Sequence, residues 1–514
     1  MPGTTPTEFV LDEGGEAVLE TVMELSPRWQ ELAHAGERTR AVLLVPGERL
    51  ISPWLQAEAE SQASLLLGRG LPEISADGLT AELWLRTDAD EPRRLLSWTL
   101  DNHAPGIGEA ALEVSLPLRE GQAFQLELRC GPGPEGMPDA DWLAVMEWVV
   151  GRFDRMPLLR ARSHAAWRLV NELAHFNGAY DAAFFADRRT AADVACADGA
   201  PLRTLPENAA GLPLPDLSGW DERLRDVHPL PGENAFSYAH RLLRQLLPEP
   251  APNFVARLRT LQARSPGQPL RMLSLCAGNA AVERSLLERA GVPVQLCLVD
   301  VNASLLERAA SGMPAGVGVD RVLGSVDRIG PTLGEFDVVN ITSGLHHIVE
   351  LERVLAGIAA TLAPGGEFWL IGEQVGRNGN RLWPEAGDAA NAIFAAWPEE
   401  KRRNAGTGRV DARLPALDYS RACFEGIRSQ DIEILLGRYF LPVDVHVRDC
   451  FLWRLVDPAY AGNFDLADPA DLALIRAAAR AEARHWLEGG RGTSVNGVWR
   501  SKRDLLRAPP LPNP

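Results

Sequence analysis

Apolar and polar positions change period twice along this 514-residue chain. From about Arg38 to Arg129 they form short β-like runs broken by turn residues: Ala41–Val45, Leu79–Leu85, Leu95–Leu100, Leu112–Leu116 and Phe124–Leu128. In Ala81-Glu-Leu-Trp-Leu-Arg86 and Phe124-Gln-Leu-Glu-Leu-Arg129 the two kinds trade places residue by residue, as in strands buried on one face. Strands at this spacing predict a β-sandwich or jelly-roll-like domain over residues 1–139, ended by Gly131-Pro-Gly-Pro134. From about Ala140 to Arg264 the apolar positions take helical spacing, clearest in Ser237–Leu247 and Asn253–Ala263 on either side of Pro248-Glu-Pro-Ala-Pro252. Residues 140–268 therefore read as a mainly helical connector.

After Leu270 apolar runs and helical segments alternate, which predicts a parallel α/β sheet over residues 269–500. The expected strands are Arg271–Leu275, Val294–Val299, Asp320–Leu323, Phe336–Ile341 and Glu367–Gly372. The expected helices end near Ala290 and cover Ala303–Ser311, Leu351–Leu362 and Ser429–Arg438. Two further runs, Val443–Val447 and Phe451–Val456, are close enough to form an antiparallel hairpin. Residues 501–514, rich in proline from Arg507 onward, read as a disordered tail.

A hydrophobic fraction of 46% with 24% charged residues is that of a soluble globular protein, and the length implies two or three domains. The formal charge of −17 argues against nucleic acid, whose phosphates require a basic face. Six scattered cysteines contain no Cys-x-x-Cys pair, so neither a disulfide framework nor a metal site is expected. The first residues lack the basic start and apolar core of a signal peptide, and a cytoplasmic location is expected.

The chemistry is concentrated between Leu273 and Asp300: an apolar strand, a turn of small residues (Leu275, Cys276, Ala277, Gly278, Asn279), a helix, a second strand and an acid. Gly278 would let a nucleoside-bearing cofactor approach bare backbone, and Asp300, 22 residues later at a strand's carboxyl end, could accept ribose hydroxyls. Ser-Gly-Leu-His-His-Ile (343–348) follows the fourth strand, and Leu-Ala-Pro-Gly-Gly-Glu-Phe (362–368) leads into the fifth. In this order the features resemble the class I S-adenosylmethionine-dependent methyltransferases, over about a third of the chain.

The resemblance implies a Rossmann-like, seven-stranded sheet with an antiparallel last strand, and S-adenosyl-L-methionine as cofactor. It also implies cofactor contacts at Leu275–Asn279, Asp300, Val301, Ser325, Val326 and Ser343. The family's turn usually reads acid-x-Gly-x-Gly-x-Gly; here Ser274 holds the acidic position, and Cys276 and Ala280 replace the outer glycines. His346 and His347 are candidate catalytic residues, because a hydroxyl or amine acceptor can need a base with a pKa near neutrality. Glu373, ending the fifth strand, joins them.

The insertion after that strand supplies a candidate substrate wall of Arg377, Asn378, Arg381, Trp383, Tyr419, Glu425 and Arg428. Trp84, Trp98 and Trp142 suggest stacking surfaces for sugar in the β-rich region. The expected activity is O-methylation of a carbohydrate-containing or other small-molecule acceptor. An inert methyltransferase-like scaffold and a dinucleotide-dependent oxidoreductase are the alternatives.

Overall fold

The computed structural model describes residues 9–11, 17–21, 29–34, 37–70, 78–88, 90–101, 110–133, 141–179, 224, 226–247 and 252–503. The chain forms two compact units, Met1–Asn171 with Arg421–Cys423, and Glu172–Ser420 with Phe424–Pro514.

The first unit holds two antiparallel sheets. One contains β1 (Phe9–Leu11), β2 (Ala17–Thr21), β3 (Trp29–His34), β4 (Glu37–Leu44), β7 (Ser61–Arg69), β10 (Ala110–Ser115) and β12 (Leu143–Arg152). The other contains β5 (Arg49–Ile51), β6 (Leu55–Gln56), β8 (Gly78–Thr87), β9 (Arg93–Asp101) and β11 (Ala123–Pro132). Alternation along β8 and β11 buries Leu83, Leu85, Leu126 and Leu128, which share one core with Leu65, Leu67 and Trp148 of the first sheet. Strand β12 lies in the stretch expected to begin the helical connector. Its run Leu143-Ala-Val-Met-Glu-Trp-Val-Val is nearly all apolar, and pairing with β7, β4 and β2 outweighs any helical period. Helix α1 (Met156–Arg162) packs Met156 and Leu159 on Val149, and α2 (Ala165–Ala179) follows.

The second unit is built on one sheet of β13 (Leu270–Leu275), β14 (Val294–Asp300), β15 (Val317–Leu323), β16 (Phe336–Thr342), β17 (Leu362–Gln374), β18 (Phe440–Arg448) and β19 (Ser494–Ser501). Its order is β15-β14-β13-β16-β17-β19-β18, parallel throughout except that β19 runs against both neighbours. Both faces are buried, so successive residues point into different cores: Leu273, Val299, Val339 and Phe368 into one, Met272, Leu298, Val338 and Trp369 into the other.

Helices α3 (Ala235–Leu246) and α4 (Phe254–Arg264) are capped by the side chains of Asn234 and Asn253. They are followed by α5 (Ala281–Ala290), α6 (Ala303–Ser311), α7 (Leu351–Thr361), α8 (Pro384–Ala396) and α9 (Ser429–Tyr439). The last two are α10 (Leu452–Leu455) and α11 (Pro469–Leu487). Helix α3 shares a core with α8, α10 and α11, so it belongs to a helical layer rather than a simple connector.

Phe451–Val456 is not a strand: Leu452–Leu455 is a helical turn, and Phe451, Leu452, Leu455 and Val456 pack into that helical core. An apolar run this short has no period that separates helix from strand. The strand that reverses direction is Ser494–Ser501, and the short hairpin does not exist. Of the expected tail, Ser501 closes β19, and residues 504–514 lie outside the described residues.

Candidate functional site

The turn after β13 passes through the left-handed region at three alternate residues, Cys276 (φ 51°), Gly278 (φ 52°) and Ala280 (φ 49°). Glycine reaches this region freely, whereas another residue is strained by about 1–2 kcal/mol. The missing outer glycines have therefore left the backbone path in place. Ala277 is buried and its N–H donates to the Val299 carbonyl (3.1 Å), and Leu275 is fully buried beneath the turn. The Asn279 side chain accepts the Ala281 N–H (3.2 Å) at the start of α5.

Asp300 stands opposite this turn and accepts the Gly278 N–H on one oxygen and the Asn302 N–H on the other, each at 2.8 Å. Burial pushes its carboxyl above the usual range, against the pull of those backbone bonds. A carboxylate has roughly four acceptor positions, so two backbone donors leave capacity for a ribose hydroxyl. Val301 and Leu323 are 45% and 62% exposed, and Leu323 pairs in register with Asp300. Two bare apolar side chains beside that acid suit the flat face of a nucleobase. The residues present thus fit a nucleoside. Ser325 gives its hydroxyl proton to Asp327 (2.7 Å) and caps the turn Val326–Arg328, where Val326 is buried.

Ser274 lies where the resembling family carries an acid, and the structure supplies one from elsewhere. Its hydroxyl donates to Glu283 Oε1 (2.9 Å), which also accepts from Asn340 (2.8 Å) and Thr342 (3.0 Å). Glu283 is 1% exposed, so a carboxylate of α5 sits under the turn in place of one on β13. An acid one turn before Leu286 and Leu287, on the apolar face of α5, was the visible signal for it.

Strand β16 leads to Ser343 (φ 49°), whose N–H donates to the Ile371 carbonyl (2.9 Å). At Gly344 the chain turns against the Leu275–Asn279 turn: a Cβ there would stand 2.7 Å from Cys276 Cβ. The helical turn Leu345–His347 follows. Glu373, fully buried at the end of β17, organises it by accepting the N–H groups of Gly344 (3.0 Å), Leu345 (2.8 Å) and His346 (3.0 Å). Its carboxylate also meets His346 Nδ1 at 2.5 Å.

The other face of His346 looks onto Glu425, with Nε2 3.4 Å from Oε1. His347 repeats the pattern, with Nδ1 against Glu172 Oε1 on α2 and Nε2 3.3 Å from Glu425 Oε2. Burial opposes charge on His346, but Glu373 and Glu425 overcome it and lift the imidazole to about 10. The same pairing overcomes burial in the acids, holding Glu373 below the usual carboxylate range and Glu425 down to about 2. Phe176 stands edge-on to His347, ring centroids 5.6 Å apart.

Glu425 was read as part of the substrate wall, and the fold brings it to the histidines. Most of the other proposed wall residues are engaged in holding the insertion together. Arg377 donates to the Leu382 carbonyl (3.1 Å) and Arg381 to that of Asn378 (2.8 Å). Asn378 and Gln430 exchange backbone–side-chain bonds of 3.1 and 3.0 Å. Arg428, 4% exposed, ties Glu352 on α7 to Asp431 on α9, 2.8 Å to each.

Trp383 packs against the helical core with the Arg491 guanidinium 3.8 Å over its ring, and the Tyr419 hydroxyl accepts from Arg454 (3.2 Å). In the β-rich unit Trp84, Trp98 and Trp142 are half-buried and packed, not bare stacking faces: Arg129 lies 4.4 Å over Trp84, and Trp98 and Trp142 lean on cores. Trp54, 48% exposed, is an open indole that no pattern in its neighbourhood announces.

A parallel sheet with one reversed strand between the fifth and sixth, a left-handed small-residue turn and a carboxyl-edge acid define a nucleoside-cofactor-binding α/β domain. That domain is a class I S-adenosylmethionine-dependent methyltransferase domain, and the family described as "Methyltransferase domain" matches residues 272–366. A ubiquinone/menaquinone biosynthesis C-methyltransferase, UbiE, from Methylobacterium nodulans is 27% identical over 103 residues, 20% of this chain and 41% of that protein. The chain thus spans about two fifths of the length of the curated relatives it matches.

Among solved structures, the citrinin polyketide synthase CMeT domain is similar at 26% identity over 27% of this chain and 34% of that one, TM-score 0.19. An S-adenosylmethionine-dependent methyltransferase from Mesorhizobium loti is similar at 17% identity over 47% of this chain and 95% of that one, TM-score 0.26.

Proposed function

We propose that the chain transfers the methyl group of S-adenosylmethionine to a small-molecule acceptor whose reacting atom meets the His346–His347 turn. The observation that carries this reading is the contact of that buried histidine–carboxylate turn with the cofactor turn, through Gly344 and Cys276. When bound, the cofactor supplies an electrophilic methyl group on a sulfonium. The chain's own residues bind and align: Asp300 takes ribose hydroxyls, Val301 and Leu323 flank the base, and the turn from Leu275 to Asn279 offers bare backbone. Methyl transfer is an in-line displacement, so alignment is a large part of the rate.

Glu373 and Glu425 favour the charged form of His346, which would offset negative charge developing on the acceptor oxygen. His347 Nε2 is then the atom placed to take the acceptor's proton when no ion is present. Glu373 is a positioning residue, since its bonds go to the turn itself.

The acceptor we propose is a hydroxyl of a carbohydrate-containing small molecule; within the N-terminal unit the exposed Trp54 is a candidate sugar-stacking face of its own. A second reading, methylation of an acidic carbon, is favoured by the C-methyltransferase relative. The shared core of the two N-terminal sheets supports a sandwich or jelly roll. Unpaired thiols at Cys130, Cys276, Cys297 and Cys450 support a reducing, cytoplasmic setting. Among the described residues no helix is long and apolar enough to cross a membrane.

The test is incubation of cell extract with deuterated-methyl cofactor and mass spectrometry of the products. An O-linked label supports the first acceptor and a C-linked label selects the second. Donor binding without transfer to any acceptor would leave an inert scaffold. Calorimetry with S-adenosylmethionine that gave no heat from folded protein would overturn the methyltransferase reading altogether.

A further inference from the structure

We propose that His346, His347 and Glu425 bind one divalent first-row transition ion of the zinc type. The helical turn Leu345–His347 places two neighbouring imidazoles side by side, ring centroids 4.1 Å apart. One ligand atom from each of the three residues lies within 4.8 Å of the other two. The Nε2 atoms stand 3.4 and 3.3 Å from the two Glu425 oxygens. Ligands bound at ~2.0–2.1 Å in tetrahedral geometry are themselves about 3.3–3.4 Å apart, so these contacts already have the separation an ion requires.

What stands behind the ligands points the same way. Each imidazole has a carboxylate at its Nδ1: Glu373 at 2.5 Å for His346, and Glu172 for His347. A carboxylate on the far nitrogen keeps the proton at Nδ1 and turns the Nε2 lone pair toward a metal. His347 Nδ1 is buried without an aligned hydrogen bond, although Glu172 is in contact with it. A small ring rotation toward an ion would align that bond.

Charge balance adds a third argument. Three carboxylates, Glu172, Glu373 and Glu425, face the two imidazoles of the turn, with His175 the further imidazole whose charge acts on Glu425. A divalent cation is the complementary species. Cys-x-x-Cys spacing is absent from the sequence, and the ligands come instead from an adjacent pair and a glutamate 78 residues later, joined by the Ile427 N–H donating to the His346 carbonyl (3.1 Å).

Two imidazoles and one carboxylate leave an open coordination position. Its use for the acceptor's oxygen rests on the methyltransferase reading; occupancy by the ion does not. With an ion bound, His347 Nε2 would be a ligand, the ion would acidify that oxygen, and its proton would leave to solvent water.

The experiment uses the full chain, stripped with chelator, desalted and titrated with Zn²⁺ by calorimetry. Metal is then counted by mass spectrometry after dialysis. We expect one ion per chain, with affinity falling by about 100-fold or more in His347→Ala and Glu425→Gln, and by about 10–100-fold in Glu373→Gln. Circular dichroism and the thermal midpoint establish that each variant is folded. Sub-stoichiometric binding, or binding unchanged in both His347→Ala and Glu425→Gln, would overturn the site.

Should those variants unfold, Co²⁺ added to the unaltered chain decides the matter. Visible d–d bands without thiolate charge transfer support the site, and a thiolate band would move the ion to a cysteine and overturn it. S-adenosylmethionine is titrated into the same samples. Donor binding without metal binding overturns this inference alone, and metal binding without donor binding overturns the methyltransferase reading alone.

Discussion

Ala280 adopts a left-handed conformation while 1% exposed, and it does so at the residue that opens α5. Glycine there would release the strain at the cost of a looser unfolded chain. Ala280→Gly is expected to raise stability by up to about 1 kcal/mol, read from the denaturant midpoint, with donor affinity unchanged. Asp300→Ala should act oppositely. It removes the acceptor of the Gly278 and Asn302 N–H groups together with the ribose contact, so donor affinity should fall by at least about 10-fold by calorimetry.

Gly278 and Asp300 were legible in the sequence because a strand, a tight turn and an acid are all local signals. Glu172 was not: it lies 175 residues before His347, and no local pattern announces which helix will face a loop. Glu283 falls between these cases, visible as an acid on an apolar helical face but without its partners Asn340 and Thr342.

Between elements, Arg428 was read from its neighbourhood as a substrate contact, and its bonds make it a tie between α7 and α9. Arg428 is buried but Glu352 and Asp431 reach solvent, so removing the arginine costs its packing and charge-assisted hydrogen bonds, about 1–3 kcal/mol. Arg428→Ala should therefore lower the unfolding midpoint with little change in KM, and a large KM change at unaltered stability would restore the substrate role.

Glu482 on α11 gives a pH prediction. It accepts the N–H groups of Cys450 and Phe451, 2.8 Å each, and that of Leu452, which opens α10. Burial and nearby Asp449 outweigh these bonds and push its carboxyl up to about 7. A folded-state value above the ordinary 4.5 means that protonation favours folding. Its contribution is complete below about 4.5 and is lost as pH rises through about 7. Thermal midpoints taken across that window should decline in the native chain, and Glu482→Gln should flatten this part of the profile.

At this scale the strands β13, β14, β16 and β17 were readable because continuous apolar runs bounded by turns are what a sheet buried on both faces demands. The run Phe451–Val456 misled for the same reason, being equally apolar, with its partners in α3 and α11 far along the chain.

Across the whole molecule, two units with separate cores carry a net charge of −17. That charge predicts no retention on heparin or duplex DNA at physiological salt, and a salt-sensitive DNA shift in gel electrophoresis would contradict it.

The position of β19 has a consequence for biosynthesis. Strands β17 and β18 are not neighbours; each pairs with β19, which is translated after both. Until residue 501 has left the ribosome, the sheet presents the unpaired edge of β17, flanked by Phe368 and Leu370, and β18 has no place to dock. Such an edge is a template for pairing with another chain. The vulnerable interval is therefore the one between the emergence of β17 and that of β19, and a nascent chain stalled shortly before residue 494 should be a strong chaperone client, whereas one with residues 494–503 clear of the ribosome should not.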